Sequence, residues 1–303
     1  MFHSSLARRC TSGRWWLAVF ASLLALSAQA GDRYWPPIVD PPTGQHTPGR
    51  FVWGELVTSD VAAAAGFYSK VFGWTFETYG GDDDRDTYTL ALADGLPIGG
   101  LVFDQRAMKG TTPSARWVGL ISVADVKASA AAVTAGGGKV VYAPVMLGER
   151  GETAVFKDPE GVLFGVVNSK NGDPPDYAGD VNEWYWVDLW TADVEKAATF
   201  YRAVVGYETL PIADDGPRSG MNLLSGGFAR AGIMQKRSKK TSSTWLPYIR
   251  VADAKASAEA AKSAGGKVLL QPVAMSGATV AIVADPTGAP VGIVQVPTPE
   301  AQP

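Results

Sequence analysis

The sequence predicts an α+β fold of two tandem domains, each a pair of β-α-β-β-β units whose sheet curls into a cup. The first observation behind this prediction is an internal repeat with offsets of 133, 128 and 127 residues. Repeats of this length indicate that one compact unit was duplicated. The repeated positions are Trp53, Glu55, Asp60, Phe67, Tyr68 and Gly73 with Trp186, Asp188, Asp193, Phe200, Tyr201 and Gly206, and Trp117, Asp125, Lys139 and Asp158 with Trp245, Asp253, Lys267 and Asp285.

The second observation is the order of strand and helix signals inside each unit. Strands are predicted from β-branched and aromatic runs, and helices from a capping Asp followed by an alanine-rich stretch. A lone unit would leave one face and the edges of its sheet open, so two units are expected to share a cup. The predicted elements of the first unit are a strand at 52–57, a helix at 61–71 ended by Gly73, and strands at 74–77, 87–93 and 97–103. Those of the second unit are a strand at 117–123, a helix at 126–135 and three strands, the last of which contains 161–167; units three and four start near Trp184 and Trp245.

The domain boundaries are predicted from the segments between these units. Residues 171–175 read Asn-Gly-Asp-Pro-Pro, a breaker-rich sequence that is typical of a linker. The chain of 303 residues is long enough for two domains with a core each. The predicted layout is a signal peptide at 1–30, a Pro-rich extended spacer at 31–50, a first domain at 51–170, a linker at 171–182, a second domain at 183–297 and a tail at 298–303.

The first 30 residues have the pattern of a secretory signal peptide. Three arginines precede an apolar run at 15–27, and small residues flank Gln29. A basic start, an apolar run and a small-x-small end are typical of such a signal, and the run is shorter than the roughly 20 residues that span a bilayer. We therefore expect cleavage after Ala30 and a periplasmic or secreted protein without a membrane span.

The mature chain is expected to be mildly acidic and free of cysteine. Cleavage removes three arginines and Cys10, which leaves 24 basic and 30 acidic residues, a net charge of −6. Disulfides and a thiol nucleophile are thereby excluded. Because the charge is negative and no basic stripe is present, a nucleic-acid partner is not expected.

Several short motifs are similar to those of the vicinal oxygen chelate superfamily, which includes glyoxalase I, bleomycin-resistance proteins and extradiol dioxygenases. The resemblance extends over all four units and implies cups built from paired units. It implies no particular reaction, since one fold hosts many chemistries. The motifs are Asp60 with Phe67-Tyr68 and Phe72-Gly73-Trp74, Asp193 with Phe200-Tyr201 and Gly206-Tyr207, and the turns Asp158-Pro159-Glu160-Gly161 and Asp285-Pro286-Thr287-Gly288.

The resemblance also identifies the positions at which the superfamily's metalloenzymes hold a divalent ion. One His stands on the first strand of a unit, seven residues before the Asp that caps the helix. A Glu stands seven residues after the Asp of the Asp-Pro-x-Gly turn. Indole, alkyl and glycine groups are not ligands for Zn²⁺ or Fe²⁺. In this chain the first kind of position holds Trp53, Val118, Trp186 and Leu246, and the second holds Gly165 and Gly292.

The histidine count leads to the same expectation. The mature chain has a single histidine, His46, in the spacer, where a solvated linker residue is the simpler interpretation. A site of two His and one carboxylate cannot be assembled from one such chain. We therefore expect no metal of the usual kind and no other cofactor.

Two carboxylates are the candidate catalytic residues. Side chains alternate across a strand, so Glu55 shares a face with Trp53, and Asp188 shares a face with Trp186. If the tryptophans occupy the family's ligand position, both carboxylates face the cups. An acid in an aromatic cleft either has a raised pKa or attracts a cation.

Three interpretations of these carboxylates remain open. They hydrogen-bond the surrounding protein and do no chemistry, they bind a cationic or planar ligand together with the aromatic rings, or one of them acts as a general base. The sequence accordingly predicts an exported protein that binds a small organic ligand without the usual metal. The alternatives are a lyase, isomerase or dioxygenase with an atypical acidic metal or base site, and an interaction protein whose cups are filled by side chains.

Five further residues are predicted to line the clefts. Trp117 and Trp245 open the even-numbered units, and Tyr88 and Tyr248 lie on neighbouring strands. Core packing is the competing role for each aromatic residue. Arg230 is predicted to contact a ligand carboxylate or to pair with Asp188.

Overall fold

The computed structural model describes residues 34–80, 87–104, 115–177, 179–212, 220–236, 238, 241–275 and 277–297. The predicted signal peptide and the predicted tail lie outside these residues. The predicted order of elements is confirmed in all four units. In the first domain the elements are β1 (Phe51–Thr58), α1 (Val61–Phe72), β2 (Thr75–Tyr79), β3 (Tyr88–Ala93), β4 (Leu96–Phe103), β5 (Arg116–Ser122), α2 (Val126–Ala135), β6 (Lys139–Leu147), β7 (Gly151–Lys157) and β8 (Leu163–Ser169).

The second domain repeats this order. No described helix has the length and apolar character that a membrane span requires. The elements are β9 (Trp184–Thr191), α3 (Val194–Val205), β10 (Glu208–Pro211), β11 (Gly220–Ser225), β12 (Phe228–Gln235), β13 (Thr244–Arg250), α4 (Ala254–Ser263), β14 (Lys267–Met275), β15 (Ala278–Ala284) and β16 (Pro290–Gln295).

Each domain contains one eight-stranded mixed sheet. The strand order is β2-β3-β4-β1-β5-β8-β7-β6 in the first domain and β10-β11-β12-β9-β13-β16-β15-β14 in the second. The first strands of the paired units, β1 with β5 and β9 with β13, are antiparallel neighbours at the centre. The predicted α+β fold of two tandem domains with paired β-α-β-β-β units is therefore confirmed.

The capping residues predicted from the sequence explain where the helices begin and end. The side chain of Asp60 accepts a hydrogen bond from the backbone N–H of Ala63 at 2.9 Å, which satisfies one free donor of the first turn. Gly73 ends α1 in the left-handed region at φ 72°, where glycine is unstrained. Asp193 and Gly206 do the same for α3.

The two domains share their apolar cores, in contrast to the separate cores expected from chain length. One buried cluster joins residues of the second and third units, including Phe164 and Phe200. The other joins residues of the first and fourth units, including Phe67 and Ile249. The helix-bearing faces of the two sheets therefore pack toward each other, which leaves the opposite faces as the cups.

Candidate functional site

Strand alternation on β1 and β9 places the predicted carboxylates in the cups. Leu56 belongs to the core shared by the domains, whereas Trp53 belongs to a separate cluster on the other face. Trp53 donates a hydrogen bond from its indole N–H to Glu55 at 2.9 Å, so both side chains lie in the first cup. Trp186 makes the same bond to Asp188 at 2.8 Å in the second cup.

In the first cup, the carboxylate of Glu55 has a cationic partner from the same chain. Arg150 forms an ion pair with Glu55 and donates from Nη2 to the hydroxyl of Tyr88 at 2.7 Å. Its guanidinium carbon lies 4.7 Å from the ring centroid of Trp53, in a cation–π contact. The side chain of Arg150 is only 1 % exposed. Burial lowers the pKa of Arg150, but Tyr88 and Glu55 raise it more, so the guanidinium stays charged.

The segment predicted to be a spacer fills the rest of the first cup. Ile38 is 2 % exposed and packs in the cluster that contains Trp53. The carbonyl of Pro36 accepts a hydrogen bond from Arg150 Nε at 3.0 Å, and the ring of Trp35 lies 5.6 Å from the same guanidinium. Within residues 34–39, Trp35, Pro36 and Ile38 therefore contribute to the interior of the first domain, whereas Tyr34 is 45% exposed. His46 of the same segment is exposed, as expected.

In the second cup, Asp188 has no basic partner among the residues that the structure describes. Its described contacts are the indole of Trp186 and the hydroxyl of Tyr248, and Trp190 lies beside Tyr248 with Nε1 at 3.4 Å from its hydroxyl. Burial raises the pKa of Asp188 to about 6, and the bonds from Trp186 and Tyr248 only partly oppose this shift. Burial also raises the pKa of Tyr248, so it remains a neutral phenol.

The internal repeat explains why the two cups differ. Arg150 directly precedes β7, and the residue that directly precedes β15 is Gly277. Tyr88 begins β3, and the equivalent first residue of β11 is Gly220. Two of the three partners of Glu55, Arg150 and Tyr88, are thus replaced by glycine in the second cup, and the indole is retained as Trp186.

A second set of exchanges gives the second cup its polar aromatic lining. Where the first cup has Leu120 opposite Gly165, the second has Tyr248 opposite Gly292. At each of these glycines a Cβ atom would lie 2.1–2.3 Å from the facing side chain. The missing Cβ therefore provides the space that the facing side chain occupies.

Trp117 and Trp245 do not lie in the cups, in contrast to their prediction. The hydrogen bond from Trp117 to the hydroxyl of Tyr68, at 2.7 Å, and the bond from Trp245 to Tyr201, at 2.8 Å, hold both indoles on the helix-bearing faces. Trp117 pairs with Leu56 in the ladder between β1 and β5, and residues paired in this way share a face. Both indoles are therefore buried between the two domains.

Arg230 does not pair with Asp188. Its Nη1 atom donates to both oxygens of Asp176, at 2.9 and 2.7 Å. Arg230 therefore lies at the boundary between the domains, next to the linker, and Asp188 lacks this partner.

The positions that hold the metal in the superfamily do not fit a metal ion in this chain. The indole N–H groups of Trp53 and Trp186 are hydrogen-bond donors to the carboxylates and have no lone pair to offer. The two glycines at the position of the Glu leave no space for a longer side chain, because Leu120 and Tyr248 occupy it. Within the described residues, no three His, Cys, Asp or Glu side chains form a group that could bind a metal.

The comparison with known families agrees with this architecture. Residues 49–166 match the model of the Glyoxalase/Bleomycin resistance protein/Dioxygenase superfamily, and residues 184–294 match the model of a Glyoxalase-like domain. The chain belongs to this superfamily. It is a member with two tandem glyoxalase-like domains, as the sequence motifs imply.

Solved structures of the superfamily show the same fold at low identity. The Mn(II)-bound glyoxalase from Novosphingobium aromaticivorans aligns with a TM-score of 0.56 at 19% identity, over 84% of this chain and 89% of that one. The 2,3-dioxygenase LapB from Pseudomonas sp. KL28 aligns with a TM-score of 0.56 at 14% identity, over 86% of this chain and 97% of that one. Similarity at this level extends to the fold alone.

Two curated relatives match this chain along most of their own length. The "Putative glyoxylase CFP32" of Mycobacterium tuberculosis is 28% identical over 82% of this chain and 95% of its own length. The "Anthracycline biosynthesis protein DauV" of Streptomyces sp. (strain C5) is 29% identical over 82% of this chain and 94% of its own length.

Proposed function

We propose that the second cup of this glyoxalase-like protein binds a small organic cation with a planar or aromatic part, without the superfamily's usual metal. Asp188 supplies the opposite charge, and Trp186, Trp190 and Tyr248 supply aromatic surface. A carboxylate that is buried without a cation is costly, and a bound cation removes this cost.

The observation that carries the proposal is the arrangement in the first cup. There, the guanidinium of Arg150 pairs with Glu55 and lies against the ring of Trp53. The second cup repeats the carboxylate and the indole as Asp188 and Trp186 but has Gly277 in place of the arginine. The same recognition of a flat cation is therefore available to a ligand in the second cup.

The names of two relatives support a finer ligand class. DauV and DnrV are both named anthracycline biosynthesis proteins. Anthracyclines combine fused aromatic rings with an amine, which is the combination that a carboxylate beside indole rings recognises. We propose fused-ring amines as the ligand class.

Titration calorimetry with benzamidine tests the proposal. Benzamidine carries a flat amidinium cation, which resembles the guanidinium group that Arg150 places in the first cup. Benzamide is its neutral control. We expect one benzamidine to bind per chain, and Asp188→Asn to weaken the affinity about tenfold or more, as the loss of a charged hydrogen-bond partner does. Equal binding of benzamide and benzamidine would contradict the proposal.

A second candidate function is general-base catalysis by Asp188. A pKa of about 6 is suitable for accepting a proton near neutral pH. The test is deuterium incorporation at the hemithioacetal carbon of a 2-oxoaldehyde–thiol adduct, next to its ketone carbonyl, in D₂O, followed by NMR. Catalysis requires exchange above the uncatalysed rate that Asp188→Asn abolishes and that Glu55→Gln preserves. Binding alone predicts no exchange.

We also propose that the protein is exported. The basic, apolar and small-residue segments of residues 1–30 support this proposal. N-terminal sequencing of protein expressed from the full-length gene tests it. We expect the mature chain to begin at Gly31, and an intact Met1 would contradict export.

A further inference from the structure

A cavity of about 650 Å³ lies between the two domains, where β1 and β9 begin. Asp188 and Tyr248 do not line it, although the indole of Trp186, which donates a hydrogen bond to Asp188, does. Its size lies within the range of small-molecule sites, which occur preferentially at domain interfaces.

Nine aromatic residues line this cavity, and the internal repeat relates four of them in pairs. Phe51 corresponds to Trp184, and Trp117 corresponds to Trp245. The ring of Phe51 packs 5.0 Å from that of Trp245, and the ring of Trp117 packs 4.9 Å from that of Trp184. The cavity is thus lined by two aromatic pairs, and each pair joins a ring of the first domain to a ring of the second.

The polar atoms of these indoles are already satisfied by the protein. Trp184 donates to the carbonyl of Ile98 at 2.8 Å, and Trp117 and Trp245 donate to tyrosine hydroxyls. What they offer to the cavity is ring surface, which suits the flat face of an aromatic molecule. Gly119 keeps part of this space open, since a Cβ atom there would lie 2.6 Å from the ring of Phe51.

Arg230 supplies a charged group that is fixed at the edge of this cavity. Its side chain is 9% exposed, its Nε atom donates to the carbonyl of Ser225, and Nη1 donates to Asp176. Its guanidinium carbon lies 5.2 Å from the ring centroid of Phe228. No acceptor among the described residues takes a hydrogen bond from Nη2, which leaves this nitrogen for a ligand.

The other charged groups around the cavity are engaged by the protein itself, so Arg230 is the group that can bind an acidic ligand. Arg50 donates to the carbonyls of Pro174 and Pro175 and also contacts Asp176, at 3.5 Å. Asp176 therefore sits between two guanidinium groups, and its own side chain is 43% exposed. The carboxylate of Glu183 accepts hydrogen bonds from Tyr177 and from the backbone of Asp180.

We propose that this cavity is a second binding site, which takes a flat aromatic molecule carrying an acidic group. The rings lie between the two aromatic pairs, and the acidic group accepts a hydrogen bond from Nη2 of Arg230. The inference goes beyond the proposed function, because the second cup selects a cation and this cavity selects an anion.

The test is a fluorescence titration with 8-anilinonaphthalene-1-sulfonate, a sulfonate on a flat naphthalene ring, read by energy transfer from tryptophan. We expect one probe per folded chain. Ala229→Trp fills the cavity from an exposed strand position and should abolish binding. Arg230→Gln should weaken binding about tenfold, as expected for one charge-assisted hydrogen bond. Asp176→Asn should strengthen it, because both guanidinium groups lose a competing carboxylate.

The matched control is Asp188→Asn, which should leave probe binding unchanged while it weakens benzamidine binding in the second cup. This pair of readouts distinguishes a failure of the cavity from a failure of the cup. Thermal unfolding of each variant verifies the fold. No binding by the native chain, unchanged binding in Ala229→Trp and Arg230→Gln, or loss in Asp188→Asn would each overturn the proposal.

Discussion

Glu55 and Asp188 lie at equivalent positions of β1 and β9, but only Glu55 pairs with a guanidinium group among the described residues. The first cup is closed by Arg150 and by residues 34–39 of the same chain. The second cup has glycines where Arg150 and Tyr88 stand, and its carboxylate has a raised pKa. Duplication followed by divergence at a few positions has thus produced one filled cup and one cup with an unpaired acid.

Replacement of Arg150 should destabilise the protein strongly. Arg150→Ala leaves Glu55 as a buried charge without its partner, which typically costs about 3–5 kcal/mol of unfolding free energy. Urea denaturation measures this change. The double variant Glu55→Gln, Arg150→Met should recover much of the loss, because it removes both charges. A loss below about 1 kcal/mol in the single variant, the range of surface ion pairs, would contradict the buried pair.

The N-terminal segment should behave as core rather than as a linker. Ile38→Ala should lower the unfolding free energy by about 2–4 kcal/mol, because a buried Ile leaves a cavity when truncated. The matched control is Leu96→Ala, a residue that is 56% exposed, for which a change within about 0.5 kcal/mol is expected. Equal effects of the two substitutions in urea denaturation would show that residues 34–39 do not fill the first cup.

Asp188→Asn should stabilise the protein at neutral pH but not in acid. The pKa of Asp188 is about 6 in the folded state, above its ordinary value of 3.8, so the folded state binds more protons than the unfolded chain between these limits. Stability therefore falls as the pH rises through this window, and the full cost, at most about 3 kcal/mol, is present at pH 7. Asparagine does not ionise and avoids this cost.

The measurement is the unfolding free energy of the native chain and of Asp188→Asn as a function of pH. The difference should be near zero at pH 4 and should grow toward pH 7. Asp40→Asn, at an exposed position, is the control. A difference for Asp188→Asn that is independent of pH would show that the carboxyl group of Asp188 has an ordinary pKa.

The sequence predicted the fold well because its signals are local and repeated four times. Asp caps, Gly termini and the Asp-Pro-x-Gly turns each specify a nearby backbone conformation. In that turn, the side chain of Asp158 accepts hydrogen bonds from the backbone of Glu160 and Val162. Such contacts span only a few residues, so a pattern of letters is enough to predict them.

The face of the sheet on which each tryptophan lies depends on the exact number of residues between it and the capping Asp. Trp53 and Trp186 lie seven residues before the capping Asp, whereas Trp117 and Trp245 lie eight residues before it. A shift of one residue places a side chain on the opposite face of a sheet. Trp53 and Trp186 therefore face the cups, whereas Trp117 and Trp245 face the domain boundary.

The filling of the first cup could not be predicted from local patterns. Arg150 and Glu55 are 95 residues apart, and their contact depends on a turn that is one residue longer than its counterpart before Ala278. Residues 34–39 form no helix or strand, so no periodicity indicates that Ile38 is buried. The sequence did contain one signal that the two cups differ, because the position equivalent to Arg150 is occupied by Gly277.

The most direct test of the unpaired Asp188 in the second cup is the affinity for benzamidine as a function of pH. Asp188 must lose its proton to bind a cation, and its pKa is about 6. The affinity should be constant above pH 7 and about tenfold weaker at pH 5, where the carboxyl group of Asp188 is mostly protonated in the native chain. Asp188→Asn should bind weakly at every pH. An affinity for the native chain that does not change between pH 8 and pH 5, or a pH dependence that Asp188→Asn retains, would contradict the account.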